Sequence, residues 1–202
     1  MEILTKEKMM GFRNLGRTYE VGIYNVSEIS SCHLKMYYRR TTGIKEECNA
    51  KMALGKIIHY VLPDIIDVKG VVYETSLSGK FRGFEIRGTA DAIYRDIVYE
   101  FKVTRLNRVT PSSVTQANMY CGLSGKKKAN IVFINPDTMD VEYFTILFDK
   151  THFNMMIDSV SLLHNSLLEE DPSSVTHSPS FPSECGFCAF RKVCVNENNL
   201  LL

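Results

Sequence analysis

The spacing of apolar positions changes several times along the chain, and each change marks an element. Between 71 and 103, β-branched and aromatic residues recur with a period near two: V-V-Y-E-T-S-L-S at 71–78, F-E-I-R at 84–87, A-D-A-I-Y at 90–94 and I-V-Y-E-F-K-V at 97–103. That period and composition predict four strands. Arg95-Asp96 is the only break between the last two, which predicts a hairpin with a two-residue turn. Further along, 129–134 is a near-continuous apolar strand closed by Asn135-Pro136-Asp137, and 141–148 is a second strand.

Elsewhere the spacing is helical. Asn25 followed by Glu28 forms a capping-box signature and predicts a helix over 25–40 that carries Cys32 and stops at Thr41-Thr42-Gly43. A second helix is expected over 49–62, with Met52, Leu54, Ile57, Ile58, Val61 and Leu62 as its stripe; Pro63 should kink or end it. Pro111 opens a helix over 112–121 that closes near Gly122. The longest, 150–169, lines up Phe153, Met156, Ile157, Val160, Leu163 and Leu167. Residues 1–24 read as a weakly patterned arm, and 171–183, rich in Ser and Pro, as a loop. The order of elements predicts an α/β fold, a mixed sheet with helices on both faces. A length of 202 residues fits a single domain, divided into 25–48, a core at 49–170 and a short tail at 184–195.

Composition narrows the function little. The hydrophobic fraction of 45% supports a full core, and a formal charge of +1 gives no general attraction to nucleic acid. Any basic surface is local, with Lys35, Arg39, Arg40 and Lys45 or Lys126-Lys127-Lys128 as candidates against the plainer reading of solvated faces. The amino terminus lacks the apolar core of a signal peptide, and no apolar run approaches the roughly 18 residues of a membrane span, so a cytoplasmic protein with no membrane partner is expected.

The predicted hairpin carries the most pointed chemistry. A two-residue turn sets Tyr94 against Ile97 and Ile93 against Val98, which brings Asp91 opposite Glu100. Lys102 then shares a face with Glu100. Opposed carboxylates repel, and a divalent cation between them removes the penalty. An ammonium two residues along can hold a water or a phosphate oxygen beside that cation. The stretch therefore predicts a metal-dependent phosphodiesterase, against the plainer reading of solvated acids with a lysine counter-ion. His59 lies one turn after the mid-helix Gly55, a position easier to understand if something approaches the backbone there. Gln116 and Tyr120 share a helix face, and Glu74 on the preceding strand could add a third carboxylate. His33, His152, His164 and His177 have no acidic neighbours at ligand spacing and are read as ordinary residues.

Cys185, Cys188 and Cys194 form C-x2-C-x5-C near the end of the chain. Three thiolates leave a site one ligand short for zinc or for an iron–sulfur cluster. Cys32 is the best fourth, while Cys48 and Cys121 read as small buried residues. Spacing alone does not separate zinc from iron.

G-K-I-I-H at 55–59, G-T-A-D at 88–91, E-F-K at 100–102 and Q-A-N-M-Y at 116–120 occur in the order found in RecB-type nucleases of the PD-(D/E)xK superfamily. With one early cysteine and the terminal cysteine cluster, the chain resembles the CRISPR-associated RecB-like exonucleases, the Cas-four family. The resemblance covers nearly the whole chain. It implies a restriction-endonuclease-like sheet flanked by helices and stapled by a 4Fe-4S cluster on Cys32, Cys185, Cys188 and Cys194. It implies manganese or magnesium on His59, Asp91, Glu100 and the Phe101 carbonyl, with Lys102 beside the scissile phosphate and Gln116 and Tyr120 positioning DNA. It also implies exonuclease action on single-stranded DNA, a role in preparing CRISPR spacers and CRISPR integrase proteins as partners; a homo-oligomer stays open. Many relatives follow the first cysteine with Pro and basic residues, whereas here Leu34 precedes Lys35, which could replace the missing cation. The rival readings are a DNA-binding module with a vestigial site and a zinc-stapled structural subunit.

Overall fold

The computed structural model describes residues 19–46, 50–105, 108–179 and 184–198. Most of the expected amino-terminal arm, and Cys48, lie outside these residues. The strands are β1 (Ile23–Asn25), β2 (Val72–Phe81), β3 (Phe84–Tyr94), β4 (Ile97–Val103), β5 (Lys128–Ile134) and β6 (Val141–Leu147). The helices are α1 (Val26–Ile29), α2 (His33–Thr41), α3 (Ala50–Ile65), α4 (Pro111–Ser124), α5 (Lys150–Glu169) and α6 (Arg191–Asn198).

The predicted helix over 25–40 is two helices. The capping box forms as expected, with Glu28 Oε2 accepting from the Asn25 backbone N–H. The chain then leaves the helix because Ser30 and Ser31 turn their hydroxyls onto the carbonyls of Ser27 and Glu28. Cys32, in an extended conformation, becomes the N-cap of α2 rather than a mid-helix residue. Pro63 does not end α3, which runs on to Ile65. The run at 84–94, read as two strands, is one strand through Gly88. Helix α5 spans Lys150–Glu169, as its stripe predicts, and is capped by Asp149.

All six strands join one mixed sheet in the order β1-β3-β4-β5-β6, with β2 on the other edge of β3. The long strand β3 pairs along one edge with β2. Its second edge is divided. Residues 85–87 take β1 in parallel, and residues 92–94 take β4 in antiparallel pairing. Between them the G-T-A-D segment faces a fork. Gly88 fits there because it has no side chain: a Cβ would lie 2.7 Å from Tyr120 Cε1 and 2.9 Å from Val26 Cγ2.

Helices cover both faces, as expected. The larger core holds Val26, Tyr38, Met119, Val160 and Leu163 against Ile86, Ala90, Val98 and Ile131. On the other face α3 packs Leu62 against Ala92, Phe101, Val132 and Ile134. The alternation of β3 inverts between these layers. Phe84, Ile86 and Ala90 enter the larger core, whereas Ala92 enters the smaller and Ile93 returns to the larger. Asp91 stands at the inversion, beside the fork.

Candidate active site

The two-residue turn forms at Arg95-Asp96, with Arg95 at φ 54° and Tyr94 paired to Ile97. Ladder pairing ends at Ala92 and Tyr99, one step short of Asp91 and Glu100. Like charges there would face each other, and the strands part instead. The Asp91 side chain replaces the missing ladder bond: Oδ2 accepts from the Phe101 backbone N–H at 2.7 Å. Its other oxygen, Oδ1, lies 3.1 Å from Nδ1 of His59 on α3. The same imidazole reaches the Phe101 carbonyl through Nε2, also at 3.1 Å. His59, Asp91 and the Phe101 carbonyl therefore meet at one point.

Both ring nitrogens of His59 face acceptors, the arrangement of an imidazolium. Burial opposes its charge, but the hydrogen bond and charge of Asp91 prevail and hold His59 above its ordinary value. Glu100 is buried from solvent. Burial pushes its carboxyl up to about 7, against the pull of Lys102 and with a further push from Asp91. Lys102 Nζ donates to Glu100 Oε1 at 2.7 Å and to Gln116 Oε1 at 2.8 Å. Gln116 Nε2 in turn donates to the Tyr120 hydroxyl at 3.4 Å. Tyr120 is itself buried, so its ring offers no open surface and its hydroxyl fixes Gln116.

Among the described residues, Glu100 Oε2 is buried with no hydrogen-bond partner. An orphaned carboxylate oxygen beside Asp91 and His59 is what a hard divalent cation would satisfy, and the donor set of carboxylates, a carbonyl and an imidazole suits one. Among the described residues, His59, Glu74 and Asp91 also place ligand atoms within 4.8 Å of one another. A divalent cation fits here.

The four cysteines singled out by sequence, Cys32, Cys185, Cys188 and Cys194, line one pocket together with Tyr38 and Phe190. Cys32 comes from the start of α2, Cys185 from a 3-10 turn at Glu184–Phe187 and Cys194 from α6. Phe190, 1% exposed, anchors the tail in the main core. Cys121 is buried apart from this group, where burial pushes its thiol up to about 11. Sequence reasoning set His177 aside, yet its Nε2 lies 3.4 Å from Cys185 Sγ. The only signal was its position eight residues before that cysteine.

The candidate basic patch around α2 is neither a binding surface nor a solvated face at Lys35, Arg39 and Arg40, which are paired within the fold. Arg39 and Arg40 bond Glu28, and Arg39 and Lys35 pair with Glu46. Burial works against the Glu28 carboxylate, but Arg40 and Asn25 hold it below its ordinary range. These cations build the fold. Lys126 closes the hairpin turn by donating to the Arg95 carbonyl at 3.1 Å, while Lys127 and Lys128 are exposed.

No protein-family model matches the chain. It is 26% identical to the CRISPR-associated exonuclease Cas4 of Saccharolobus solfataricus, over 96% of each chain. Among solved structures it is similar to SSO0001, with a TM-score of 0.68, 22% identity and 93% of each chain covered. The alkaline exonuclease of Laribacter hongkongensis superposes with a TM-score of 0.58 at 17% identity, covering 82% of this chain and 94% of that one. The class this defines is one of fold: the mixed α/β architecture shared with these structures, over which the curated relative is named an exonuclease. Within that class, the resemblance read from the motifs holds over nearly the whole chain, and it is to the CRISPR-associated Cas-four exonucleases.

Proposed function

We propose that the chain is a divalent-metal-dependent exonuclease that hydrolyses single-stranded DNA ends in the cytoplasm during CRISPR spacer acquisition, beside the CRISPR integrase proteins. The observation that carries the reading is the orphaned, buried Glu100 oxygen, next to Asp91 and His59 and with Lys102 on its partner oxygen. The likeness to a CRISPR-associated exonuclease supports exonuclease chemistry in a CRISPR setting.

His59, Asp91, Glu100 and the Phe101 carbonyl are the ligands of manganese or magnesium. When bound, the ion supplies Lewis acidity and lowers the pKa of a coordinated water. Lys102 presents its charge where the scissile phosphate lies, and Gln116 holds that ammonium in place. Tyr120 fixes Gln116 against the strand of DNA. Residues 1–202 act as one nuclease domain, with 49–170 as catalytic core and 25–48 and 184–195 holding a 4Fe-4S cluster on Cys32, Cys185, Cys188 and Cys194. The shared pocket supports that ligand set.

The test is digestion of end-labelled single-stranded DNA with manganese by wild type, Lys102→Ala and Asp91→Asn. Loss of cleavage in both variants, with thermal unfolding retained, is expected. Undiminished digestion by either rejects the site. A colourless purified protein would favour the zinc-stapled structural subunit over the cluster, and a folded, DNA-binding wild type without cleavage would favour the binding module.

A further inference from the structure

We propose that Glu74 is a further ligand of the divalent cation, completing its shell from strand β2. The inference rests on the metal-site reading above and extends it to a residue outside the E-F-K hairpin. In the register of β2 and β3, Tyr73 pairs with Ala92 and Thr75 with Ala90, so Glu74 and Asp91 fall opposite each other. That one pair is missing from the ladder. Glu74 instead adopts φ 46°, a left-handed conformation that a residue with a Cβ reaches only against steric strain.

The unusual backbone aims the side chain. A carboxylate oxygen of Glu74, one of Asp91 and a ring nitrogen of His59 lie within 4.8 Å of one another. Without a cation, the arrangement combines backbone strain with two adjacent carboxylates, and each alone is unfavourable. The buried Glu100 oxygen on the neighbouring strand β4, without a hydrogen-bond partner among the described residues, is an independent sign that a cation belongs beside this hairpin. With Glu74 included, two carboxylates and the imidazole of His59, which also reaches the Phe101 carbonyl, converge on the position, and Glu100 stands on the next strand. An oxygen-rich shell with a single nitrogen suits manganese and still accepts magnesium.

The test is calorimetric titration of manganese, without DNA, into wild type, Glu74→Gln, Glu74→Gly and Asp91→Asn, each first treated with chelator. Asp91→Asn should lose binding. Glu74→Gln should weaken it at least tenfold at unchanged fold. Glu74→Gly should weaken it similarly while melting at a higher temperature in chelator, because glycine relieves the positive φ. A purely structural Glu74 would instead lower the melting temperature when replaced by glycine, and that overturns the inference. Wild-type manganese affinity in Glu74→Gln, with binding lost in Asp91→Asn, also overturns it and leaves the metal site standing. Wild-type affinity in both variants overturns the metal site itself.

Discussion

Glu100→Gln should make the metal-free protein more stable at neutral pH while abolishing cleavage. Burial raises the Glu100 carboxyl from an ordinary 4.5 to about 7. That rise corresponds to about 3 kcal/mol against the ionised form. Below about pH 4.5 the group is neutral in folded and unfolded chains alike and costs nothing. Between there and about 7 the unfolded chain ionises first, so stability falls as pH rises. Above about 7 the whole penalty stands. Glutamine mimics the neutral carboxyl and removes it. Despite its burial, His59 is also held above its ordinary value, chiefly by Asp91 and in part by the charge of Glu100, so its fall with rising pH is shallower in the variant and widens the difference in the same direction. Urea unfolding in chelator should therefore give curves within about 1 kcal/mol at pH 5. At pH 8 the variant should be more stable by about 3 kcal/mol, or roughly 6–12 °C in melting temperature for a chain of this size. Added manganese should then stabilise the wild type far more than the variant. An equal pH dependence of the two proteins, or an equal response to manganese, would refute a buried carboxylate awaiting a cation.

Three other perturbations test the frame around the site. Gly88→Ala drives a methyl against Tyr120 and Val26 and should destabilise by about 1–3 kcal/mol; an unchanged urea midpoint would show that the fork is looser than described. Glu28→Ala strands Arg39 and Arg40 beside the core and should cost about 3–5 kcal/mol, read by the same unfolding curves, and a loss under about 1 kcal/mol would mean that the pair is solvated. No described atom lies within 4 Å of a Cβ built on Gly55, so Gly55→Ala should gain about 1 kcal/mol of helix stability; a lower melting temperature would show that the space is filled.

Much of this protein is local in origin and was readable from residue order. The stripe of α5 sets its length, the Asn25–Glu28 box starts a helix, and Arg95-Asp96 sets the hairpin register, because 3.6- and 2-residue periods and turn chemistry act within a few residues. Register alone placed Asp91 opposite Glu100 and marked the pair as needing a cation. What that pair does depends on contacts the chain makes at a distance. Asp91 bonds Phe101 instead of pairing with Glu100 because β3 inverts its faces there, and β1 and β4 divide its edge. The cations of α2 look like a binding surface until Glu28 and Glu46 are seen among them. His177 looks idle until the loop brings it to Cys185. Charge and hydrogen-bonding chemistry are written residue by residue, but whether a charge is buried, paired or orphaned is set by which elements pack around it. At Glu100 that packing removes water from a carboxylate and leaves one oxygen without a partner.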